Sequence, residues 1–582
     1  TTSVNGAELT VDASKATGAL TYTLESSTAV TVLGGSGNDS ITVAVADLTT
    51  DDSVVGGAGN DTLTITNTAT TGNSAPGRIN LSGVENVVLG ALIDTGTASS
   101  TAIDLRNAAD LQKLTILMAD ADSTTTNNDA AITVSNIESQ VASVVLDATG
   151  VAYTGKLTLD SDKLSTLNVV SKNTTVSTTQ GLLGLSSDYA ELAVTGDATT
   201  VNFSQDGTST TTDYLTITLP TVTKTLSISA PLSAVTTDTL TGTGLTALNI
   251  SGSSAVTIAS FAPSTSKLAT VDASASSGDV TLTSVLRTNT ATVTTGTGQD
   301  TISYTLNKEA DNTINAGTNP AVTSSNTGDK LLVKGLSTGS TVIDLSSTTD
   351  QITTVNGTAN AATQVGFEQV DASSATVAGG TFTITGSSAI NVIVGGAGND
   401  VIDGAGGNDT ITGGAGSDVI TGGTGNDTFV ISATATLNGV DTITDFQAGS
   451  TSGGADVLNA TAIATGFTNG ATTAIVSITA TSTAGGSNKN VLTIHTDLGT
   501  FANAAAMVTA LPSGAGGVTI GNTIASGVAH VLVAYTSSVT GYVRIAEAYL
   551  ADLGGFNSAS DLVELTGVTS YSAFATGNFL MD

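Results

Sequence analysis

The chain has 582 residues with 49 acidic and 15 basic side chains, and its formal net charge is −34. This charge repels nucleic acid and anionic membrane surfaces, and the 39% apolar content argues against a charged, disordered chain. Because 582 residues exceed one compact core, we expect several domains or one elongated array. The chain has no Cys, and any secreted protein without disulfides needs another stabiliser, such as bound metal. Abundant Thr, Ser, Val and Gly favour strands and turns.

Residues 1–83 form the first predicted region, a β region with two copies of a nine-residue motif. GGSGNDSIT spans 34–42 and GGAGNDTLT spans 56–64. The glycines permit positive φ and close backbone approach. The single apolar residue at position eight predicts a strand of about three residues with only its centre buried. Asp39 and Asp61, both at position six, are separated by roughly one turn of a coil, which allows them to share a metal ion.

Residues 84–390 carry a looser repeat with the core apolar-x-x-apolar-x-apolar. It reads VENVVL at 84, LQKLTI at 111, VASVVL at 141, LSTLNV at 164, YAELAV at 189, LTALNI at 245, LATVDA at 268 and FEQVDA at 367, with TKTLSI at 223 as a weaker member. Such spacing predicts an irregular parallel β-solenoid with two strands per turn. Separate β-sandwiches, the alternative, would show more closely spaced turn signals. TGTGQDTIS at 295–303 is a degraded nonapeptide built on Asp300, and it predicts either a structural turn or a metal site.

Residues 391–456 contain the tandem form of the nonapeptide. GGAGNDVID, GAGGNDTIT, GGAGSDVIT and GGTGNDTFV follow one another over 395–430. Two copies make one turn of a flattened coil, so copies 18 residues apart stack on the same edge. The stacked carboxylates repel unless a cation lies between them, and ligands that are all oxygens, on flexible loops, select calcium. A glycine-rich linker would not keep aspartate at a strict period of nine. The predicted ligands are Asp400, Asp409, Asp418 and Asp427.

The pattern resembles the calcium-binding nonapeptide of RTX proteins. The resemblance implies that position-six carboxylates and the carbonyls near positions two and four hold several Ca²⁺ ions. The implied carbonyls are those of Gly35, Gly37, Gly57, Gly59, Gly396, Gly398, Ala405, Gly407, Gly414, Gly416, Gly423 and Gly425. It also implies weaker ligands in the flank, at Asp441, Asp445 and Asp456. Ala405 in place of glycine is compatible with a carbonyl ligand, and Ser417 in place of Asn is expected to matter little. Asp403, at position nine, is expected to be a solvated charge.

Residues 457–582 are predicted to form a C-terminal β domain. HVLVAYTSSVTGYVRIAEA at 530–548 predicts a hairpin, and FANAAAMVTAL at 501–511 is a helix-like patch. No basic residue follows Arg544. This ending resembles the uncleaved signal that type I secretion machinery recognises, although an ordinary terminal strand is the alternative. Such a signal would explain why no N-terminal secretory signal peptide is visible.

Catalytic signatures are weak. The sequence contains no HExxH motif and no cysteine nucleophile. GLSTG at 335–339 matches G-x-S-x-G around Ser337, but a strand pattern follows it where a nucleophile elbow needs a helix. His495 and His530 lie in ordinary strand patterns. We therefore expect that the protein is not an enzyme.

The whole arrangement resembles bacterial surface-layer proteins of the RTX type. The resemblance implies a structural protein whose copies assemble into a calcium-dependent two-dimensional lattice on the cell exterior. It implies as partners further copies of the chain, calcium and the type I secretion machinery; nucleic acid is excluded by the net charge. In that family an N-terminal domain docks on lipopolysaccharide, and no segment here resembles it. The alternative is a secreted RTX adhesin or binding protein with a solenoid stalk, although the long near-identical repeats usual in adhesins are not found.

Overall fold

The computed structural model describes a chain that divides into two compact units, Thr1–Ile302 and Ser303–Asp582. This division does not test the four regions expected above, which stay predictions. The residues described are 9–24, 28–44, 47–66, 74–78, 80–94, 100–120, 131–137, 141–148, 156–173, 190–206, 213–262, 268–283, 291–306, 312–318, 328–377, 380–431, 439–449, 455–459, 474–478, 483–484, 491–495, 504–505, 519–520, 529–540, 542–550, 556–568, 574 and 579–580.

The first unit is built from short strands. In chain order they are β1 (Leu9–Asp12), β2 (Thr21–Leu24), β3 (Val30–Leu33), β4 (Ser40–Ala44), β5 (Ser53–Val55), β6 (Thr62–Thr66), β7 (Ser74–Arg78), β8 (Asn80–Ser82), β9 (Asn86–Asp94), β10 (Ser100–Asp104), β11 (Lys113–Asp120), β12 (Ala131–Ser135), β13 (Ser143–Ala148), β14 (Lys156–Asp160), β15 (Thr166–Asn173), β16 (Ala190–Thr195), β17 (Thr200–Gln205), β18 (Asp213–Thr218), β19 (Thr225–Ser229), β20 (Val235–Thr241), β21 (Ala247–Gly252), β22 (Val256–Ala262), β23 (Thr270–Ser276), β24 (Val280–Leu282), β25 (Thr292–Thr294) and β26 (Thr301–Thr305), which crosses the boundary.

These strands form parallel stacks. One long sheet runs β2-β4-β6-β9-β11-β13-β15-β17-β19-β21-β23-β25, a second runs β7-β10-β12-β14-β16-β18-β20-β22-β24-β26, and β1-β3-β5-β8 form a four-stranded sheet. From β10 onward, each coil turn adds one strand to each long sheet. Equivalent residues lie in register from turn to turn, as Leu226 does with Leu248. The predicted parallel β-solenoid is therefore confirmed.

The core follows from the alternation of side chains along each strand. In β19 the Leu226 and Ile228 side chains are buried, while Thr225, Ser227 and Ser229 lie on the partly exposed face. Successive residues of a strand point to opposite faces, so alternating apolar and hydroxyl residues give one buried and one wet side. Stacking the buried side over many turns makes one continuous apolar core.

Each copy of the looser repeat in the first unit marks one of these turns, but one copy leads into a strand of the other sheet. YAELAV at 189 leads into β16, which belongs to the second long sheet, whereas the members from 84 to 164 and from 223 to 268 lead into the first. At that turn the first sheet receives β17 instead, preceded by Ala198, which is fully buried. Alanine fills the first apolar position of the motif there, and its small size hid this turn in the sequence.

The second unit continues with strands β27 (Thr313–Asn315), β28 (Lys330–Ser337), β29 (Ser340–Asp344), β30 (Ile352–Val355), β31 (Thr358–Ala359), β32 (Gln364–Val365), β33 (Gln369–Val377), β34 (Thr381–Thr385), β35 (Val392–Val394), β36 (Val401–Asp403), β37 (Thr410–Thr412), β38 (Val419–Thr421), β39 (Thr428–Val430), β40 (Asp441–Ile443), β41 (Val457–Asn459), β42 (Ala474–Ile478), β43 (Thr483–Ala484), β44 (Val491–His495), β45 (Thr519–Ile520), β46 (Ala529–Thr536), β47 (Val543–Leu550), β48 (Phe556–Leu565) and β49 (Phe579–Leu580).

Two sheets hold most of these strands. One runs β28-β33-β35-β37-β39-β41-β49 and the other β31-β30-β29-β34-β36-β38-β40-β48-β47-β46-β44-β42, with the pairs β27-β32 and β43-β45 apart from them. The tandem nonapeptides supply strands to the two sheets alternately, so that Ile402 pairs with Ile420 and Ile411 with Phe429. Two copies therefore make one turn, as the period of nine predicts.

The C-terminal strands include the predicted hairpin, because β46 and β47 pair antiparallel from Ala529–Leu550 to Thr536–Val543. Within the helix-like patch only residues 504–505 are described, as helix, and the rest lies outside the described residues. Over the parts of the chain that the structure describes, there is no helix long and apolar enough to cross a membrane.

A partly buried polar cluster links β46, β47 and β48. The Arg544 guanidinium contacts Asp561 Oδ2 at 3.0 Å through Nη1 and Glu564 Oε2 at 2.6 Å through Nε. The Tyr535 hydroxyl donates to Asp561 Oδ1. Both carboxylates are thus paired with the one cation that this cluster contains, which fixes how the three strands pack.

Candidate calcium sites

The position-six aspartates of the tandem segment form a ladder along each edge. On the first edge, Asp400 Oδ1 accepts the N–H of Phe382 at 2.7 Å. Asp418 Oδ1 accepts the N–H of Asp400 at 2.8 Å, and Asp441 Oδ1 accepts the N–H of Asp418 at 3.0 Å. Each carboxylate therefore holds the backbone of the turn before it.

The second edge repeats the arrangement. Asp409 Oδ1 accepts the N–H of Asn391 at 2.8 Å, Asp427 Oδ1 that of Asp409 at 2.8 Å, and Asp456 Oδ1 that of Asp427 at 2.9 Å. Asp456 thus continues this ladder in the flank, as Asp441 does on the first edge. All six aspartates of the two ladders are buried.

The second oxygens of these carboxylates differ in their partners. Asp400 Oδ2 accepts the N–H of Gly396 at 2.8 Å. The Oδ2 atoms of Asp409 and Asp418 are buried and have no hydrogen-bond partner among the described residues. A buried ionised oxygen without a partner carries a large desolvation cost, which a bound cation removes.

The unpartnered oxygens lie beside the first glycine of a copy, at a place that we call the cradle of that copy. A Cβ built on Gly404 would lie 2.5 Å from Asp409 Oδ2 and 2.6 Å from the carbonyl oxygen of Gly422, one turn further on. Only glycine fits here, because a side chain would collide with these two oxygens; the next neighbour is Ile411 Cδ1 at 3.1 Å. The residues present therefore fit a hard cation such as Ca²⁺. The position-one carbonyls, which the sequence did not single out, belong to this set.

The carbonyls at positions two and four point at the next loop of the same edge. A Cβ on Gly414 would lie 2.0 Å from Gly396 O, and one on Gly416 would lie 2.2 Å from Gly398 O. The opposite edge gives 2.1 Å from Gly423 to Ala405 O and 1.6 Å from Gly425 to Gly407 O. The four later glycines also have positive φ. Loops this close leave no room for side chains, which explains the glycines at both positions.

The two departures from the motif keep the loop geometry. Ala405 has a φ of +68°, a strained value for alanine, and Asp403 Oδ1 accepts its N–H at 2.9 Å. Asp403 is exposed as expected, but it also holds this loop. Ser417 Oγ accepts the N–H of Val440 at 3.1 Å, much as Asn399 Oδ1 accepts that of Ser417 at 2.9 Å. The position-five side chains therefore form a further ladder beside the aspartate ladders, and serine can replace asparagine in it.

Asp445 is placed differently from the other flank candidates. Its Oδ1 and Oδ2 atoms accept the N–H groups of Gly422 and Gly423 at 2.8 Å and 2.7 Å. Both oxygens therefore hold the loop of the last copy. This arrangement supplies the hydrogen bonds that a position-six carboxylate gives to its own loop elsewhere.

Burial changes the acidity of the ladders. Loss of water is the main cause that raises the pKa of Asp400 and of Asp427 to about 6, that of Asp409 to about 7 and that of Asp441 to about 8. Backbone N–H donors oppose the shift, and stacked carboxylates add to it. Desolvation also raises the pKa of Asp418.

The two copies in the first unit stack on each other. Asp39 Oδ1 accepts the N–H of Leu20, and Asp61 Oδ1 that of Asp39, both at 2.7 Å. A Cβ on Gly57 would lie 2.1 Å from Gly35 O, and one on Gly59 would lie 2.4 Å from Gly37 O. The structure thus brings Asp39 and Asp61 together as the tandem copies are brought together.

Asp300 occupies the same kind of turn. It is buried, and its Oδ1 accepts the N–H of Val280 at 2.7 Å. A Cβ on Gly298 would lie 2.5 Å from Gly278 O. The structural-turn interpretation therefore has direct support, and a metal ion at this turn stays a prediction.

Besides Glu368, whose Oε2 accepts the N–H of Asp329 at 2.8 Å, three residues in ladder positions were not found from the sequence. Asp52 Oδ1 accepts the N–H of Val30 at 2.8 Å, Asn391 Nδ2 donates to Glu368 O in the preceding turn at 2.7 Å, and Glu85 Oε2 accepts the N–H of Asp61 at 2.7 Å. Their loops lack the glycine pattern. A shared signal could have found them, because each precedes a buried strand centre by two residues, namely Val54, Ile393 and Val87.

The donor sets combine few carboxylates with many carbonyls. Among the residues that the structure describes, no group of three or more His, Cys, Asp or Glu side chains converges on one metal position.

Ser337 is buried at the end of β28, its Oγ donates to Gly339 O at 3.3 Å, and strand β29 follows it.

Comparison with known families agrees with the motif. Residues 48–64, 383–411 and 404–430 match the RTX calcium-binding nonapeptide repeat, in four copies. No curated protein matches the chain. Repeats of this kind bind calcium and are typical of secreted proteins. The chain therefore carries the repeats of an RTX-type calcium-binding protein on a parallel β-solenoid.

Proposed function

We propose that the chain is a structural surface-layer protein whose copies assemble into a calcium-dependent two-dimensional lattice on the bacterial cell exterior. The observation that carries the proposal is the pair of buried aspartate ladders, in which the Oδ2 atoms of Asp409 and Asp418 have no partner among the described residues. An array of this kind needs cations along its whole length. Its role is then to build a scaffold, and we propose no catalytic activity.

Calcium acts on folding in this proposal. Each copy buries one side chain at its strand centre, such as Ile402 or Ile411, which contributes about 1.5–3 kcal/mol. Ordering nine residues costs roughly 1–2 kcal/mol per residue in backbone entropy. Ion binding supplies the difference, so that coordination free energy becomes folding free energy. Extracellular sites bind at about 10⁻⁴–10⁻³ M, so the segment would stay unfolded during export by a type I system and fold outside.

The lattice is supported by charge and by the resemblance to RTX surface-layer proteins. A chain with a formal net charge of −34 repels its own copies. Divalent ions at subunit contacts would remove that repulsion and make association depend on calcium. The alternative, a secreted adhesin, would contain the same folded array as a stalk, but its copies would not assemble into an ordered lattice.

The test is negative-stain microscopy of the wild type and of the double variant Asp409→Ala/Asp418→Ala over a calcium series. We expect the wild type to form ordered sheets, and the double variant to need more calcium to fold, to form no sheets and to be exported normally. Asp162→Ala is the control, because Asp162 is exposed and lies outside the ladders. Isolated rods of wild type at millimolar calcium would favour the adhesin stalk. Unchanged sheets in the double variant at unchanged calcium would contradict the proposal.

A further inference from the structure

The turn that follows the two nonapeptides of the first unit has an unusually short loop. In the first two turns, six-residue loops at 34–39 and 56–61 connect β3 to β4 and β5 to β6. In the third turn, only residues 83–85 connect β8 to β9. This loop contains a glycine and an acid, Gly83 and Glu85, and it lies outside every match to the nonapeptide family.

The short loop nevertheless takes the ladder positions. Glu85 Oε2 accepts the N–H of Asp61 at 2.7 Å, as Asp61 Oδ1 accepts that of Asp39. Asn86 Nδ2 donates to Asn60 Oδ1 at 2.6 Å and so extends the position-five ladder. Glutamate has one methylene more than aspartate, and this extra length compensates for a loop that is three residues shorter.

The same turn closes an oxygen-lined cradle. A Cβ on Gly56 would lie 1.9 Å from the carbonyl oxygen of Gly83 and 2.4 Å from Asp61 Oδ2. Asp61 is fully buried, and its Oδ2 atom has no hydrogen-bond partner among the described residues. The corresponding cradle at Gly404 in the tandem segment has the same two kinds of oxygen.

The short loop occurs a second time in the chain. Gly366, Phe367 and Glu368 connect β32 to β33, just as Gly83, Val84 and Glu85 connect β8 to β9. Glu368 Oε2 accepts the N–H of Asp329 at 2.8 Å. A glycine, an apolar residue and a glutamate therefore form a compact loop that sets a carboxylate over an aspartate of the preceding turn.

From this geometry we infer a further divalent-cation site, for Ca²⁺, between Asp61 and Glu85, with the Gly83 carbonyl as a third ligand. It adds an ion outside the nonapeptides, beyond the ion that Asp39 and Asp61 can share. All its ligands are oxygens, which suits Ca²⁺ over zinc. The site rests on the proposed calcium-dependent fold but does not require a lattice.

The test is the number of calcium ions bound per full-length chain, measured by equilibrium dialysis with calcium for wild type and Glu85→Gln. Glutamine keeps an oxygen that can accept the Asp61 N–H and removes the charge. We expect one ion fewer at saturation, or at least an about tenfold weaker site, with the remaining sites unchanged. Glu191→Gln is the matched control, because Glu191 pairs with Lys156 at 2.6 Å away from any cradle, and it should bind as wild type does.

Hydrogen exchange of the wild type gives a second measurement that needs no variant. Calcium should increase protection of residues 80–94 as well as 53–66. An unchanged ion count in Glu85→Gln, or no calcium effect on residues 80–94, would overturn this site while leaving the tandem array and the proposed function intact. If the wild type binds no calcium at all, both the site and the proposed function are wrong.

Discussion

Acidification should order the tandem segment without calcium. The folded-state pKa is about 6 for Asp400 and Asp427 and about 7 for Asp409, whereas an unfolded aspartate titrates near pH 3.9. A pKa raised by folding means that the ion-free fold is most stable below about pH 4. Its stability then falls as the pH rises through 6 to 7, because the buried carboxylates become charged. Calcium and protons should therefore substitute for each other.

The size of the effect follows from these three groups. One pKa unit corresponds to about 1.4 kcal/mol. Between pH 8 and pH 5 the three carboxyls together amount to at most about 5 kcal/mol, which solvent screening reduces to roughly 2–3 kcal/mol. That difference changes the ratio of folded to unfolded segment by about 30- to 160-fold.

The assay is hydrogen exchange of the full-length protein in chelator at pH 5 and pH 8, after correction for the pH dependence of intrinsic exchange. Residues 395–430 should be protected at pH 5 and unprotected at pH 8, and calcium at pH 8 should restore protection. A titration with calcium at pH 8 should then release almost no protons, because the unfolded aspartates are already ionised. Equal protection at both pH values without calcium would refute the reasoning.

Three further outcomes are expected. Gly425→Ala should raise the calcium midpoint for folding by at least about tenfold, because its Cβ would lie 1.6 Å from Gly407 O. The control Gly406→Ala should shift this midpoint little, because the nearest atom to its Cβ lies at 3.0 Å. Equal midpoints for the two variants by circular dichroism would contradict this reasoning. Ser337→Ala should leave any measured esterase or protease activity unchanged, and a loss would mean that the serine is catalytic. Arg544→Ala should destabilise the second unit by roughly 2–3 kcal/mol in denaturant unfolding, because two largely buried carboxylates lose a partly exposed cation. A cost below about 0.5 kcal/mol would show that the cluster is dispensable.

The period of the sequence was sufficient to predict the stacking of the tandem copies. Nine residues with one buried centre leave only one way to bring Asp400 beside Asp418, and hydrophobic alternation made the parallel solenoid readable as well. The nonapeptide pattern does not reveal ladder members whose loops lack its three glycines. Glu85 and Asn391 hold ladder positions through side-chain length or amide chemistry, which a search for aspartate does not detect.

The irregular turns were harder to predict from the sequence, because they depend on the volume of individual core side chains and not on a repeating pattern. Ala198 fills a place that Leu245 fills in another turn, and the residues around it decide how much volume that place needs. The strained conformation at Ala405 likewise depends on the neighbouring Asp403, which supplies a hydrogen bond to its N–H. Such compensation between neighbours in space leaves no periodic trace in the sequence.

The hydrogen bonds of the two ladders all have the same polarity. Each carboxylate receives the amide of the turn before it in the chain, and the last acceptors are Asp441 and Asp456, in the flank. The amide of a position-six aspartate therefore has its side-chain acceptor only when the following turn is in place, whereas backbone bonds such as that from the Val419 N–H to Asp400 O run to the preceding turn. The flank thus caps both ladders, because without Asp441 and Asp456 the amides of Asp418 and Asp427 would lose these acceptors.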